Sequence, residues 1–174
     1  MYLYYGIGDN IIENKIVPFS RLFKSNGKYI LEEEKFSKHY ERTNQKIRIL
    51  NCLRKDVVFL TPILPENLNI EMKRRVGNSF EGSYFYKINM NKLEREKMCI
   101  HLLFDQEEEG EFFPVNDETL SHFDEYMDYS QDAKDYWDNI KMNSDTKNSF
   151  LFAGTYLFLY KGEINLEDCE KIIL

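Results

Sequence analysis

Apolar and polar positions along this chain alternate in two rhythms. Short runs rich in aromatic and branched residues mark strands. They fall at 1–6, 57–61, 84–90, 98–104, 151–160 and 169–174. Within 84–90, Tyr84, Tyr86 and Ile88 share one face while Phe85, Lys87 and Asn89 take the other, which predicts a sheet packed mainly on one side. Elsewhere the spacing widens to three and four residues and predicts helices over 30–49, 66–76, 116–127 and 130–141. Glu32, Glu33 and Glu34 precede Lys35 and Lys38 at helical spacing. Ser130 is placed to cap the last helix. Its Ala133, Tyr136, Trp137 and Ile140 form one apolar stripe, with Trp137 as the expected core anchor. The amino terminus reads as a strand, a glycine-loosened loop, one or two turns of helix within 10–18, and an extended exit into Pro18.

The breaks at Pro62 and Pro65, Gly77-Asn78, 107–110 and 143–148 are all too short for a domain linker. One domain over 1–174 is expected. Helices and strands mix without strict alternation, which predicts an α+β fold: a mostly antiparallel, twisted sheet of at least five strands with helices packed on it. The expected core comprises Leu3, Tyr5, Val58, Leu60, Phe85, Ile88, Ile100, Leu102, Trp137, Phe158 and Ile172.

Composition supports a packed body, since 13 Phe and 12 Tyr accompany only 8 Gly and 4 Pro. No apolar run approaches the roughly 20 residues that span a bilayer, and no basic-then-apolar leader opens the sequence. Cys52, Cys99 and Cys169 are widely spaced and form no metal or disulfide pattern, which predicts reduced thiols in the cytosol. Charge is partitioned along the chain. Residues 1–100 carry 18 Lys and Arg against 12 Asp and Glu; residues 101–174 carry 5 against 18. The basic half suits an anionic partner such as a dinucleotide or nucleic acid. The acidic half suits a basic protein partner.

Motifs of common chemistries are missing. There is no phosphate-binding G-x-x-x-x-G-K-[ST] loop, and Gly6 and Gly8 alone make no G-x-G-x-x-G fingerprint. His39, His101 and His122 are scattered, with no H-E-x-x-H and no Cys/His cluster, so no metal is expected. His101, inside an apolar strand, reads as a sheet residue rather than a general base. Glu107, Glu108, Glu109 and Glu111 read as an exposed acidic loop without calcium-site spacing.

Four segments in order carry a resemblance. They are Leu3-Tyr4-Tyr5-Gly6 followed by Asn10 to Pro18; Arg54 to Pro62; Phe85 to Asn91; and Ala133-Lys134-Asp135-Tyr136-Trp137. Together they resemble the ADP-ribosyltransferase fold, including its DNA-modifying DarT-type toxins. The resemblance implies NAD as cofactor, a toxin or phage-defence setting, and a dinucleotide cleft containing Tyr5, Gly6 and Arg54. There Tyr5 would stack on nicotinamide, Gly6 would admit the ligand closely, and Arg54 would clamp the pyrophosphate. Two positions depart from the family pattern. Tyr5 stands where the His-type motif has histidine, and the late segment Gly154 to Gly162 lacks the glutamate that stabilises an oxocarbenium-like transition state. Glu163 follows one residue too late. The resemblance therefore implies NAD binding with weak or no transfer.

The residues alone leave a second class open: a non-catalytic acidic binder, such as an immunity protein, antitoxin or phage counter-defence inhibitor, that blocks a basic effector through its acidic half.

Overall fold

The computed structural model describes residues 1–6, 10–25, 44–77, 79–103, 110–131, 133–135, 152 and 154–174. Every pairing between its named strands is antiparallel, and with the helices this makes an α+β fold. The strands form two main sheets rather than one. In the first, β7 (Tyr84–Asn89) lies between β1 (Tyr2–Tyr5) and β12 (Cys169–Ile173). In the second, the order is β6 (Val58–Leu60), β10 (Thr155–Tyr160), β8 (Met98–Leu103) and β9 (Glu111–Pro114). Among the described residues a single bridge joins them: Tyr4 donates to the Thr61 carbonyl at 2.7 Å and accepts from the Thr61 amide at 2.9 Å.

Side-chain parity explains the layering, because successive residues of a strand point to opposite faces. Leu3, Tyr5 and Ile88 from the first sheet meet Val58, Leu60, Ile100, Phe158 and Tyr160 from the second, so the principal core lies between the two sheets. Tyr4 and Phe85 point the other way, toward Ile63, Leu68, Tyr129 and Ala133. The three-stranded sheet is thus covered on both faces near Phe85, where the alternation alone predicted one. Behind the four-stranded sheet, Cys99, Leu157 and Leu159 pack on Ile47, Leu50 and Val57. Ile47 belongs to a small hairpin of β4 (Lys46–Ile47) and β5 (Cys52–Leu53).

Of the expected core, Leu3, Tyr5, Val58, Leu60, Phe85, Ile88, Ile100, Leu102 and Phe158 are buried. Ile172 is only partly buried against the cluster around Phe85. Trp137 lies outside the described residues.

Three local expectations are corrected. Residues 10–18 form no helix but a hairpin of β2 (Ile11–Ile12) and β3 (Lys15–Ile16). Glu13 (φ 49°) and Asn14 (φ 62°) both sit in the left-handed region, as a two-residue turn matched to strand twist requires. A short third strand, β11 (Ile164–Asn165), pairs with β3, and α1 (Phe19–Ser25) follows Pro18. The end of the 30–49 helix is instead β4, closed by a turn with Asn51 at φ 46°; residues 30–43 lie outside the described residues. The 116–127 helix divides into α3 (Asp117–Leu120) and α4 (Phe123–Tyr126). The hydroxyl of Ser121 donates to the Glu118 carbonyl at 2.6 Å, a local competitor of the helical ladder.

The helix expected over 66–76 is present. Helix α2 (Pro65–Val76) starts on a proline and ends at Gly77 in the left-handed conformation, whose amide donates to the Lys73 carbonyl. Ser130 caps the turn at 133–135, accepting from the Ala133 amide at 3.0 Å. Residues 136–141 of that expected helix lie outside the described residues.

Candidate functional site

The three residues expected to share a dinucleotide cleft are placed as follows. Tyr5 ends β1, 8 % exposed, inside the core between the sheets. Gly6 follows it, and a Cβ there would come within 2.9 Å of the Phe85 ring. Its bare Cα accommodates a core aromatic. Arg54 sits in the 3-10 turn Arg54–Asp56 ahead of β6. Its guanidinium lies 5.2 Å from the centroid of Phe59 and donates to Gln45 Oε1 at 3.4 Å. Phe59 packs with the cluster behind the four-stranded sheet, whereas its neighbours Val58 and Leu60 face the core with Tyr5. The sheet therefore separates Arg54 from Tyr5, and these residues do not line one cleft. The cause is parity: one step along β6 exchanges one face for the other.

Glu163 is held by two cations, Lys15 at 3.3 Å and Arg21 at 3.1 Å. The β2–β3 hairpin and α1 position these partners beside the β10–β11 connection. The expected sheet role of His101 is borne out in its placement: it is fully buried and stacks on Phe112 with centroids 4.4 Å apart and planes within 8°. Among the described residues no cluster of metal-ligating side chains occurs. The described helices include none long and apolar enough to cross a membrane.

A strongly charged surface lies elsewhere. Residues 110–135 present Glu111, Asp117, Glu118, Asp124, Glu125, Asp128 and Asp135, all exposed. The inward positions are apolar: Leu120, Phe123 and Tyr126 recur every third residue and bury themselves in the principal core. That spacing turns the intervening carboxylates outward. Asn116 fixes the start of α3 by exchanging hydrogen bonds with Thr119, at 2.9 Å and 3.0 Å, and Asp117 and Glu118 then occupy its first turn, where negative charge is favoured. Arg95 reaches Asp117 at 2.9 Å, Lys134 reaches Asp128 at 3.7 Å, and His122 Nδ1 meets Glu125 at 2.9 Å. These exposed pairs are individually worth at most about 1 kcal/mol and leave the face acidic.

Beside this face two phenol rings pack against each other at a tilt. Tyr126 of α4 and Tyr156 of β10 have centroids 4.2 Å apart at 35°. Burial raises both hydroxyl pKa values, with Glu125 adding to the effect on Tyr156 and the Tyr156 phenol itself on Tyr126. The sequence named neither tyrosine as a site residue. Strand parity over 155–160 places Tyr156 on the same face as Phe158. No protein-family profile, curated protein or solved structure matches the chain.

Proposed function

We propose that this chain acts by binding rather than by turnover, as an acidic cytosolic protein that occupies the basic surface of a partner protein, in the manner of an immunity protein, antitoxin or counter-defence inhibitor. One observation carries the reading. Seven exposed carboxylates between 111 and 135 share a segment whose apolar positions are committed to the core, so the charge is presented on a firmly anchored scaffold. Such a surface accelerates encounter with a cationic partner and fixes orientation more than it adds raw affinity. The test is a salt titration against a cationic globular protein with pI above about 9. Binding should weaken steeply between about 10 mM salt, where fields reach roughly 30 Å, and about 100 mM, where they reach roughly 10 Å. The Glu118→Lys, Asp124→Lys double variant should slow association. Affinity indifferent to both salt and charge reversal would refute the proposal.

A second reading keeps the NAD-binding, ADP-ribosyltransferase-like domain, in an altered form. It is supported by the ordered resemblance of the four segments, the first of which passes through Gly6, two residues past the bridge between Tyr4 and Thr61. Arg54 has no place in this version, and Glu163, engaged by Lys15 and Arg21, has no catalytic assignment. Thermal stabilisation by millimolar NAD that survives Arg54→Ala would support it. No stabilisation, together with no nicotinamide release, would remove it.

A further inference from the structure

The acidic face contains one spot where charge and aromatic surface coincide. Strand register fixes it. Tyr156 pairs directly with Leu102, and Leu102 pairs directly with Glu111. Directly opposed residues of an antiparallel ladder share a face, so Tyr156, Leu102 and Glu111 stand in one row across β10, β8 and β9. Leu102 is 8 % exposed and forms the floor, Tyr156 is half-buried, and Glu111 is exposed at the sheet edge. Helix α4 adds Tyr126, which packs on Tyr156 at a tilt, and Glu125 precedes Tyr126 in sequence. Among the described residues Glu111 has no cation partner, and the partner of Glu125 is His122. Both carboxylates lie near enough to act electrostatically on the Tyr156 hydroxyl.

An aromatic face flanked by two carboxylates is complementary to a planar cation. A guanidinium stacks on a phenol and offers paired N–H donors to carboxylates, whereas an ammonium is a compact, strongly hydrated point charge. We propose that Tyr156, with Glu111 and Glu125, forms an anchor for an arginine side chain of a basic protein partner. This inference deepens the acidic-face reading and rests on it. The anchor selects arginine over lysine; the surrounding carboxylates supply unselective attraction.

Two peptides of equal length and charge, hepta-arginine and hepta-lysine, separate these contributions when titrated calorimetrically into the intact protein. An exposed cation–π contact corresponds to about a two- to fivefold preference for arginine. Tyr156→Leu should bring the two affinities together while hepta-lysine binding stays near wild type. Glu111→Gln, at an exposed edge position whose loss does not threaten folding, should reduce the preference as well. Glu118→Gln, away from the anchor, should weaken both peptides alike and keep the preference. Equal affinities in the wild type would overturn the anchor and leave the acidic face standing. A preference that survives both Tyr156→Leu and Glu111→Gln would also overturn it. Binding of neither peptide would overturn both readings.

Discussion

Gly154 and Gly77 form a matched pair for measuring what one backbone contact contributes. Their φ angles, 72° and 71°, are almost identical, but their surroundings differ. A Cβ on Gly77, at the end of α2, would meet nothing within 4 Å. A Cβ on Gly154, just ahead of β10, would lie 2.6 Å from the Cβ and 3.0 Å from the Cα of Ala133. Ala133 is 2 % exposed and packed with Tyr4, Phe85 and Leu68, so it cannot retreat without moving its helical turn. Placing alanine in the left-handed region costs roughly 1 kcal/mol at either position. Overpacking at Gly154 adds about 1–3 kcal/mol. Urea unfolding should therefore show Gly77→Ala losing about 1 kcal/mol and Gly154→Ala about 2–4 kcal/mol, with unchanged m values. Combining Gly154→Ala with Ala133→Gly should recover part of the loss as a coupling energy. Equal losses at the two glycines, or purely additive behaviour of Ala133 and Gly154, would refute the close packing of 133–135 against the start of β10.

Two further outcomes concern stability. Burial pushes the Cys99 thiol up from 9.0 to about 12 and the Cys169 thiol up to about 11. A raised folded-state pKa gives stability that is complete below the unfolded value and lost as pH climbs toward the folded one. The urea midpoint should therefore fall between about pH 9 and pH 12. Cys99→Ala, less stable at neutral pH, should fall less steeply, and a parallel decline in both proteins would show that Cys99 takes no part. Separately, Glu13→Asn with Asn14→Gly supplies residues that favour positive φ in a two-residue hairpin turn. It should raise stability by about 1 kcal/mol, read as a melting temperature several degrees higher; a lower melting temperature would contradict the turn geometry.

Strands were legible because their signal is local. Tyr84 to Asn89 and Thr155 to Tyr160 are rich enough in aromatic and branched residues to mark strands. The second is apolar nearly throughout and Phe85 shares a face with Lys87 and Asn89, so burial on both faces is set by the elements packed there. The amino-terminal hairpin reads as helix in the sequence because Ile12 and Ile16 also satisfy a helical spacing. What decides between the two is a pair of positive φ angles at Glu13 and Asn14, residues that carry no glycine to announce them. The separation of Arg54 from Tyr5 was illegible for a different reason. Which face of β6 each residue approaches depends on the pairing of β6 within its sheet and on the single bridge from Tyr4 to Thr61, and both are contacts between segments distant in sequence. Tyr156 and Glu111 illustrate the same limit in reverse, since they are distant in sequence and share a row only through Leu102.

The position of β12 beside β7 has a consequence for how the protein is made. Lys87 of β7 and Glu170 of β12 pair at 2.8 Å although they are 83 positions apart. Until residues 169–173 have been synthesised, β7 has only β1 as a neighbour and offers an open backbone edge. Nascent chains on the same messenger, held close together, can add strands to that edge. Closure over so long a separation is also slow. Truncation before Cys169 should consequently yield insoluble protein rather than a smaller folded one, and the yield of native protein should depend on how promptly β12 is delivered.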